Sequence, residues 1–160
     1  VSPGEDCVVV DFEGWKLGLS VCYDLRFPEL YRRLLQQGAD VLMVPAAFTL
    51  QIGKDHWEPL LRARAIENQM FVITAHTVGS LPMVPAVSLN YGQAAILTPS
   101  DFPFARDGIL AEGIPNQETM VIAELEMNSI QRARSSGTVL PLMDSERTAG
   151  VVSEVDEVTL

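Results

Sequence analysis

The chain opens on two strand-like runs. Residues 7–12 and 16–21 are rich in Val, Leu and Phe and flank Glu13-Gly14-Trp15, where the glycine favours a tight reversal, so the pair reads as a hairpin. The second run leads into Cys22. Pro28 then suits the first turn of a helix, Glu29 complements its positive end, and Leu30, Tyr31, Leu34 and Leu35 form an apolar stripe that Gly38 stops. Residues 40–45 predict the next strand. A loop holding Gly53 is expected after it. Trp57, Leu60, Leu61 and Ala65 then recur at helical spacing as far as Gln69, and a third strand is predicted over 71–75.

This β-α-β-α-β order implies parallel strands with right-handed crossovers, whose carboxy-terminal ends share one edge of the sheet. Cys22, residues 46–49 and His76 are therefore expected to converge. Further strands are predicted over 93–98, 108–111 and 119–125, and a short helix over 127–134. Apolar residues at consecutive positions in 41–44, 71–73 and 94–97 indicate strands buried on both faces, whereas two amphipathic helices can cover only one. A second layer, from other sequence or a partner chain, is expected over the other face. Beyond Leu142 the chain carries Asp144, Glu146, Glu154, Asp156 and Glu157 with few large apolar groups. The predicted organisation is one domain over 1–143 and an acidic tail over 144–160, mobile or in contact with a partner.

Composition narrows the classes. A chain of 160 residues, 48% hydrophobic and 20% charged, has the make-up of one soluble globular domain. Its net charge of −10 and pI of about 4.5 disfavour nucleic acid and anionic membrane as partners. No apolar run approaches the ~20 residues of a membrane span, and no basic-then-apolar leader is visible, so the expected location is cytoplasmic. Two cysteines, Cys7 and Cys22, support neither a disulfide framework nor a four-thiolate zinc site.

Cys22 lies between a strand and a turn that leads into a helix. There a thiol is presented at the sheet edge beside backbone N–H groups that can favour thiolate and hold an oxyanion. The same position suits a buried structural cysteine, and position alone leaves both readings open. Cys7, among Val8, Val9 and Val10, reads as a packing residue.

Several ordered motifs resemble the nitrilase superfamily of carbon-nitrogen hydrolases: Ser2-Pro3-Gly4, the run from Gly18 through Cys22-Tyr23-Asp24-Leu25-Arg26 to Leu30, Gln37-Gly38-Ala39-Asp40, Val44-Pro45-Ala46-Ala47-Phe48, His56-Trp57-Glu58, and Arg62-Ala63-Arg64-Ala65-Ile66-Glu67-Asn68. The likeness resumes at Tyr91-Gly92 and over 107–113. It implies an α/β fold, here the carboxy-terminal half of an α-β-β-α sandwich, and a Glu-Lys-Cys set in which the carboxylate is the base, the ammonium supports the oxyanion and the thiolate attacks. By this resemblance Cys22 is the nucleophile and the Tyr23 N–H an oxyanion donor. Arg26 matches a position that binds a substrate carboxylate in some branches, and Phe48 and Thr49 match pocket walls. The family's glutamate and lysine lie upstream of Ser2-Pro3-Gly4, so the chain is expected to begin after them and to be inactive alone.

Substitutes within the chain are few. Lys16 is six strand positions before Cys22, roughly 20 Å away at ~3.3 Å per residue, and Lys54 reads as a solvated loop residue. His76 invites pairing with the thiol, histidine being the usual thiol activator. Glu58 is a candidate pocket residue that equally suits a helix amino terminus. Asp24 and Glu29 read as organisers of the turn. The function expected of the complete protein is hydrolysis of a small-molecule amide through a Cys22 thioester, releasing ammonia and a carboxylate, with no metal or organic cofactor. Homodimers or larger homo-oligomers are implied by the resemblance. The alternative is a non-catalytic half-domain acting as an interaction or structural subunit.

Overall fold

The computed structural model describes residues 4–85 and 88–152. Ser2 and Pro3 of the first motif, and Glu154, Asp156 and Glu157 of the expected tail, lie outside the described residues. Strands β1 (Val8–Phe12) and β2 (Trp15–Leu19) form the opening hairpin, with Phe12 opposite Trp15. Both turn residues take positive φ, Glu13 at 50° and Gly14 at 86°, as a two-residue hairpin turn matched to the strand twist requires.

A 3-10 turn (Cys22–Arg26) leads to helix α1 (Pro28–Gln36), which carries Pro28 at its first position and buries Tyr31, Leu34 and Leu35. Strand β3 (Val41–Ala46) follows, then β4 (Phe48–Thr49), helix α2 (Leu50–Asn68) and β5 (Phe71–His76). Next come β6 (Asn90–Tyr91), β7 (Ala95–Leu97) and β8 (Ile109–Glu112), then α3 (Met127–Ser136) and α4 (Pro141–Val152). Among the described residues the main sheet has the order β1-β2-β3-β5-β7-β8, and β4 pairs with β6 in a small ribbon. As expected, β2, β3 and β5 are parallel, while β1, β7 and β8 extend the sheet in antiparallel fashion.

Alternation along β3 separates two cores. Leu42 and Val44 point toward α1 and α2 and pack with Leu25, Tyr31, Leu34, Trp57 and Leu61. Val41 points the other way, against Phe71 and Ile130 of α3, with Met43, Ile73, Phe104 and Leu125 beside it. Thus α3 covers one end of the second face. The remainder, at the end where the parallel strands terminate, is a concavity of about 400 Å³ lined chiefly by Leu17, Leu19, Met43, Pro45, Ile73 and Ala75.

Three expectations need correction. The segment 50–56, expected as a loop, is the first part of α2, and Gly53 is buried there because the β4–β6 ribbon packs directly on it. Residues 119–125 keep part of the alternation of a strand but join no sheet among the described residues, although Thr119 and Val121 lie against Gly113 just after β8. Residues 144–152, expected as part of a tail, belong to α4, which starts at Pro141 and touches α2 and α3. Proline at its first position needs no N–H partner there, which lets a helix start at Pro141.

Candidate active site

The chain leaves the sheet beside β3, where Ser20 donates its N–H to the Met43 carbonyl at 3.2 Å and its hydroxyl to the same oxygen at 3.3 Å. Two residues later Cys22 takes φ of +49°. For a side chain with a Cβ this left-handed conformation is uncommon and costs on the order of 1–3 kcal/mol, so the surrounding contacts must hold it. Asp24 supplies part of that hold. Its carboxylate accepts the Val21 N–H at 2.8 Å, and its own N–H reaches the Val21 carbonyl at 3.0 Å. Asp24 therefore organises the turn, as its place in the sequence suggested.

The Cys22 thiol donates to the Ala47 carbonyl at 3.3 Å. Among the described residues the Tyr23 N–H donates no hydrogen bond to a group outside its own turn. Sulfur, Ala46, Ala47, Ala75 and His76 border an open cleft of about 480 Å³ at the carboxy-terminal edge of the parallel strands. Of the convergence of Cys22, residues 46–49 and His76 expected from strand order, the cleft brings together Cys22, Ala46, Ala47 and His76, while Phe48 and Thr49 fall outside it. Among the described residues, neither a carboxylate nor an ammonium side chain lines this cleft.

The other expected site residues are dispersed around it. Phe48 is 6% exposed and forms no wall of the cleft. It lies beneath, its ring centroid 5.0 Å from Trp57 and 5.8 Å from His76. Thr49 is exposed at the start of α2, opposite Asn90. Arg26 sits on the flank of the turn, with both terminal guanidinium nitrogens 3.2 Å from His56 Nδ1 and its centre 5.7 Å from the Tyr23 ring. Glu58 pairs with Arg62 at 2.6 Å and borders a separate small cavity beside Trp57 and Gln93. Lys54 is exposed on α2, and Lys16 lies at the far end of β2 against Gly38.

His76 reaches the cleft but does not meet the thiol in a hydrogen bond. Its ring is 3.4 Å from Trp57 between centroids, and its Nδ1 accepts the Gln93 N–H at 3.3 Å. Burial pushes its pKa down to about 4 from the ordinary 6.5, partly offset by the Tyr91 backbone. A ring so held stays neutral near pH 7 and has one nitrogen already occupied, which makes it a poor base for Cys22. Two contributors escaped sequence reading. The Ala47 carbonyl carries no side-chain signal, and Arg64 was visible only as part of a motif.

A larger groove of about 660 Å³ lies between α1, α2 and α4, lined by side chains of both charges including Arg32, Arg33, Glu29, Glu67 and Asp144. It holds no cysteine, and its hydroxyls are those of Ser145 and Thr148 on α4. Among the described residues no group of three His, Cys, Asp or Glu side chains is placed to hold a metal ion, and no helix is long and apolar enough to cross a membrane.

The site is thus a cysteine on a strained turn at the carboxy-terminal edge of the parallel strands of an α/β fold. The profile of the carbon-nitrogen hydrolase family matches residues 1–135, and the chain belongs to that family, within the nitrilase superfamily. It is 50% identical over 99 residues to the deaminated glutathione amidase of Dictyostelium discoideum, covering 62% of this chain and 33% of that protein. It also superposes on Saccharomyces cerevisiae Nit3, a member of branch 10 of the nitrilase superfamily, with a TM-score of 0.76, 32% identity, and coverage of 92% of this chain and 49% of that one. A third likeness is to an amidase from Nesterenkonia sp., with a TM-score of 0.63, 25% identity, and coverage of 92% of this chain and 49% of that one. The chain spans between a third and a half of the length of these relatives.

Proposed function

We propose that this chain is the nucleophile-bearing part of an amidase. Cys22 thiolate attacks the amide carbonyl carbon, the oxyanion forms against the Tyr23 N–H, and the C–N bond breaks as the nitrogen takes a proton and leaves, as ammonia from a primary amide or as an amine from a secondary one. A thioester on Cys22 remains. Water then adds to it, releasing a carboxylate and the thiol. The observation that carries this reading is the left-handed φ of Cys22 with its sulfur at an open cleft, a strained arrangement of the kind that clusters at functional sites.

The general base and the ammonium that supports the oxyanion are proposed to come from polypeptide upstream of this chain. Two facts support this: the cleft has neither group among the described residues, and the relatives are about twice as long. The apolar concavity beside β2, β3 and β5 is proposed to receive the second sheet of an α-β-β-α sandwich. The exposed Tyr23 and Phe27 on the α1 flank support homodimer formation through that side.

By likeness to the Dictyostelium relative, the proposed substrate is a carboxylate-bearing amide such as deaminated glutathione. Arg26 suits such a ligand, because both its terminal nitrogens now share the one acceptor His56 Nδ1, whereas a carboxylate offers two oxygens for parallel, charge-assisted bonds. The test uses the full-length polypeptide. Amine release from deaminated glutathione, and ammonia release from a panel of neutral primary amides, should fall to background in Cys22→Ala, and mass spectrometry of the quenched parent should show an acyl adduct on the Cys22 peptide. Undiminished release by Cys22→Ala would refute the assignment, and an inert parent lacking any adduct would favour a non-catalytic subunit.

A further inference from the structure

The turn that presents Cys22 is five residues long and starts in a strained conformation, so something outside it must fix its shape. Arg64 of α2 is only 4% exposed. Its Nε and Nη2 both donate to the Leu25 carbonyl, at 3.2 and 2.7 Å, three residues after the nucleophile. Its Nη1 donates to Glu67 at 2.9 Å, and the same carboxylate oxygen takes the Asn68 amide at 3.2 Å. The guanidinium centre also lies 5.2 Å from the centroid of the buried Tyr31 ring on α1. One side chain thus joins α2, α1 and the turn.

We infer that Arg64 is a positioning residue for the nucleophile: its fork clamps the Leu25 carbonyl and thereby holds Cys22 left-handed, with its sulfur on the Ala47 carbonyl. The inference rests on the reading of Cys22 as the nucleophile. Lysine cannot replace the clamp, because one ammonium on a flexible stem cannot hold the Leu25 carbonyl by two parallel donors while also meeting Glu67. The opposite edge of the sheet offers a matched control. There Arg134 of α3 is also largely buried and donates to the carbonyls of Gln69 and Ala39 and to Asp40, at 3.0, 2.7 and 3.0 Å respectively. It supports the same sheet without touching the turn.

The experiment compares Arg64→Lys, Arg64→Met, Arg134→Met and Cys22→Ala in the full-length polypeptide. It reads kcat, KM, Tm, and the rate of Cys22 alkylation by iodoacetamide, followed on the Cys22 peptide so that Cys7 does not interfere. Arg64→Met should lower kcat by about 10²-fold while KM changes little, since misplacing a reacting group costs turnover more than binding. Alkylation of Cys22 at neutral pH should slow by about tenfold as the sulfur loses its fixed presentation at the open cleft. Arg64→Lys should not restore either value. Arg134→Met should lower Tm and keep the parental alkylation rate. An Arg64→Lys protein, folded by its Tm, that alkylates as fast as Arg134→Met and keeps parental kcat would overturn the clamp. If Arg64→Met does not fold, Arg64→Lys carries the test. Activity surviving in Cys22→Ala would sink the nucleophile assignment and the clamp with it. An inactive Cys22→Ala beside unaffected Arg64 variants would sink the clamp alone.

Discussion

Residue-scale chemistry here depends on which groups are held away from water and which are left open. His76 is neutral because Trp57 and Phe48 enclose its ring, not because a partner sets its charge. Its folded pKa of about 4 lies below the ordinary 6.5, so between those values the unfolded chain binds a proton that the folded chain refuses. The sign follows: stability rises with pH across that window, and this contribution is lost as pH falls through it. His76→Gln should flatten the pH dependence of Tm between pH 4 and 6.5 relative to the parent, and parallel melting curves would contradict the buried neutral ring. Arg26 gives a second residue-scale expectation. Arg26→Leu should raise KM for a carboxylate-bearing amide more than for a neutral amide of similar size, as measured by ammonia release. Equal losses would assign Arg26 to holding His56 and Tyr23 instead.

Among the elements, α2 shows how packing overrides propensity. Gly53 lies four residues into a 19-residue helix, where glycine is ordinarily worse than alanine by about 1 kcal/mol. A Cβ at that position would lie 2.8 Å from Tyr91 Cβ and 3.1 Å from Phe48 Cβ, both close to backbone that cannot swing aside. Overpacking of this kind typically costs about 1–3 kcal/mol, which outweighs the propensity gain. Gly53→Ala is therefore expected to lower the denaturation midpoint and loosen the β4–β6 ribbon, and a raised midpoint would show that the ribbon yields freely. The segment 119–125 illustrates the converse. Its alternation is that of a strand, with Ile122 82% exposed between the half-buried Val121 and Ala123, yet a strand needs a neighbour's edge to exist as one.

For the molecule as a whole, the uneven covering of the sheet decides behaviour. One face is closed by α1 and α2. On the other, α3 reaches Val41 and Phe71 but leaves Leu19, Val10 and Phe12 at 42, 40 and 58% exposure. Contiguous apolar surface of this kind drives association. Expressed alone, residues 1–160 should self-associate in light scattering and release no ammonia above a Cys22→Ala control, because loss of a general base typically costs ~10² to 10⁴ in rate. A monodisperse monomer with Cys22-dependent amidase activity would overturn both the proposed missing layer and the proposed upstream base.

The hairpin at Glu13-Gly14, the start of α1 at Pro28, the parallel order of β2, β3 and β5, and the exit of Cys22 from the sheet edge were all legible in the chain. The hairpin and the helix start depend on residues a few positions apart, where turn geometry and periodicity act directly, and the parallel order follows from the handedness of strand-helix-strand crossovers. The roles around the thiol were not legible in that way. Cys22 meets Ala47 across 25 positions, Arg64 meets Leu25 across 39, and His76 is turned into a Trp57 and Phe48 stack that leaves it neutral. A side chain's burial and its hydrogen-bond partner are properties of the packed arrangement, so the sequence determined where Cys22 stands, and only the tertiary structure decided what holds it there.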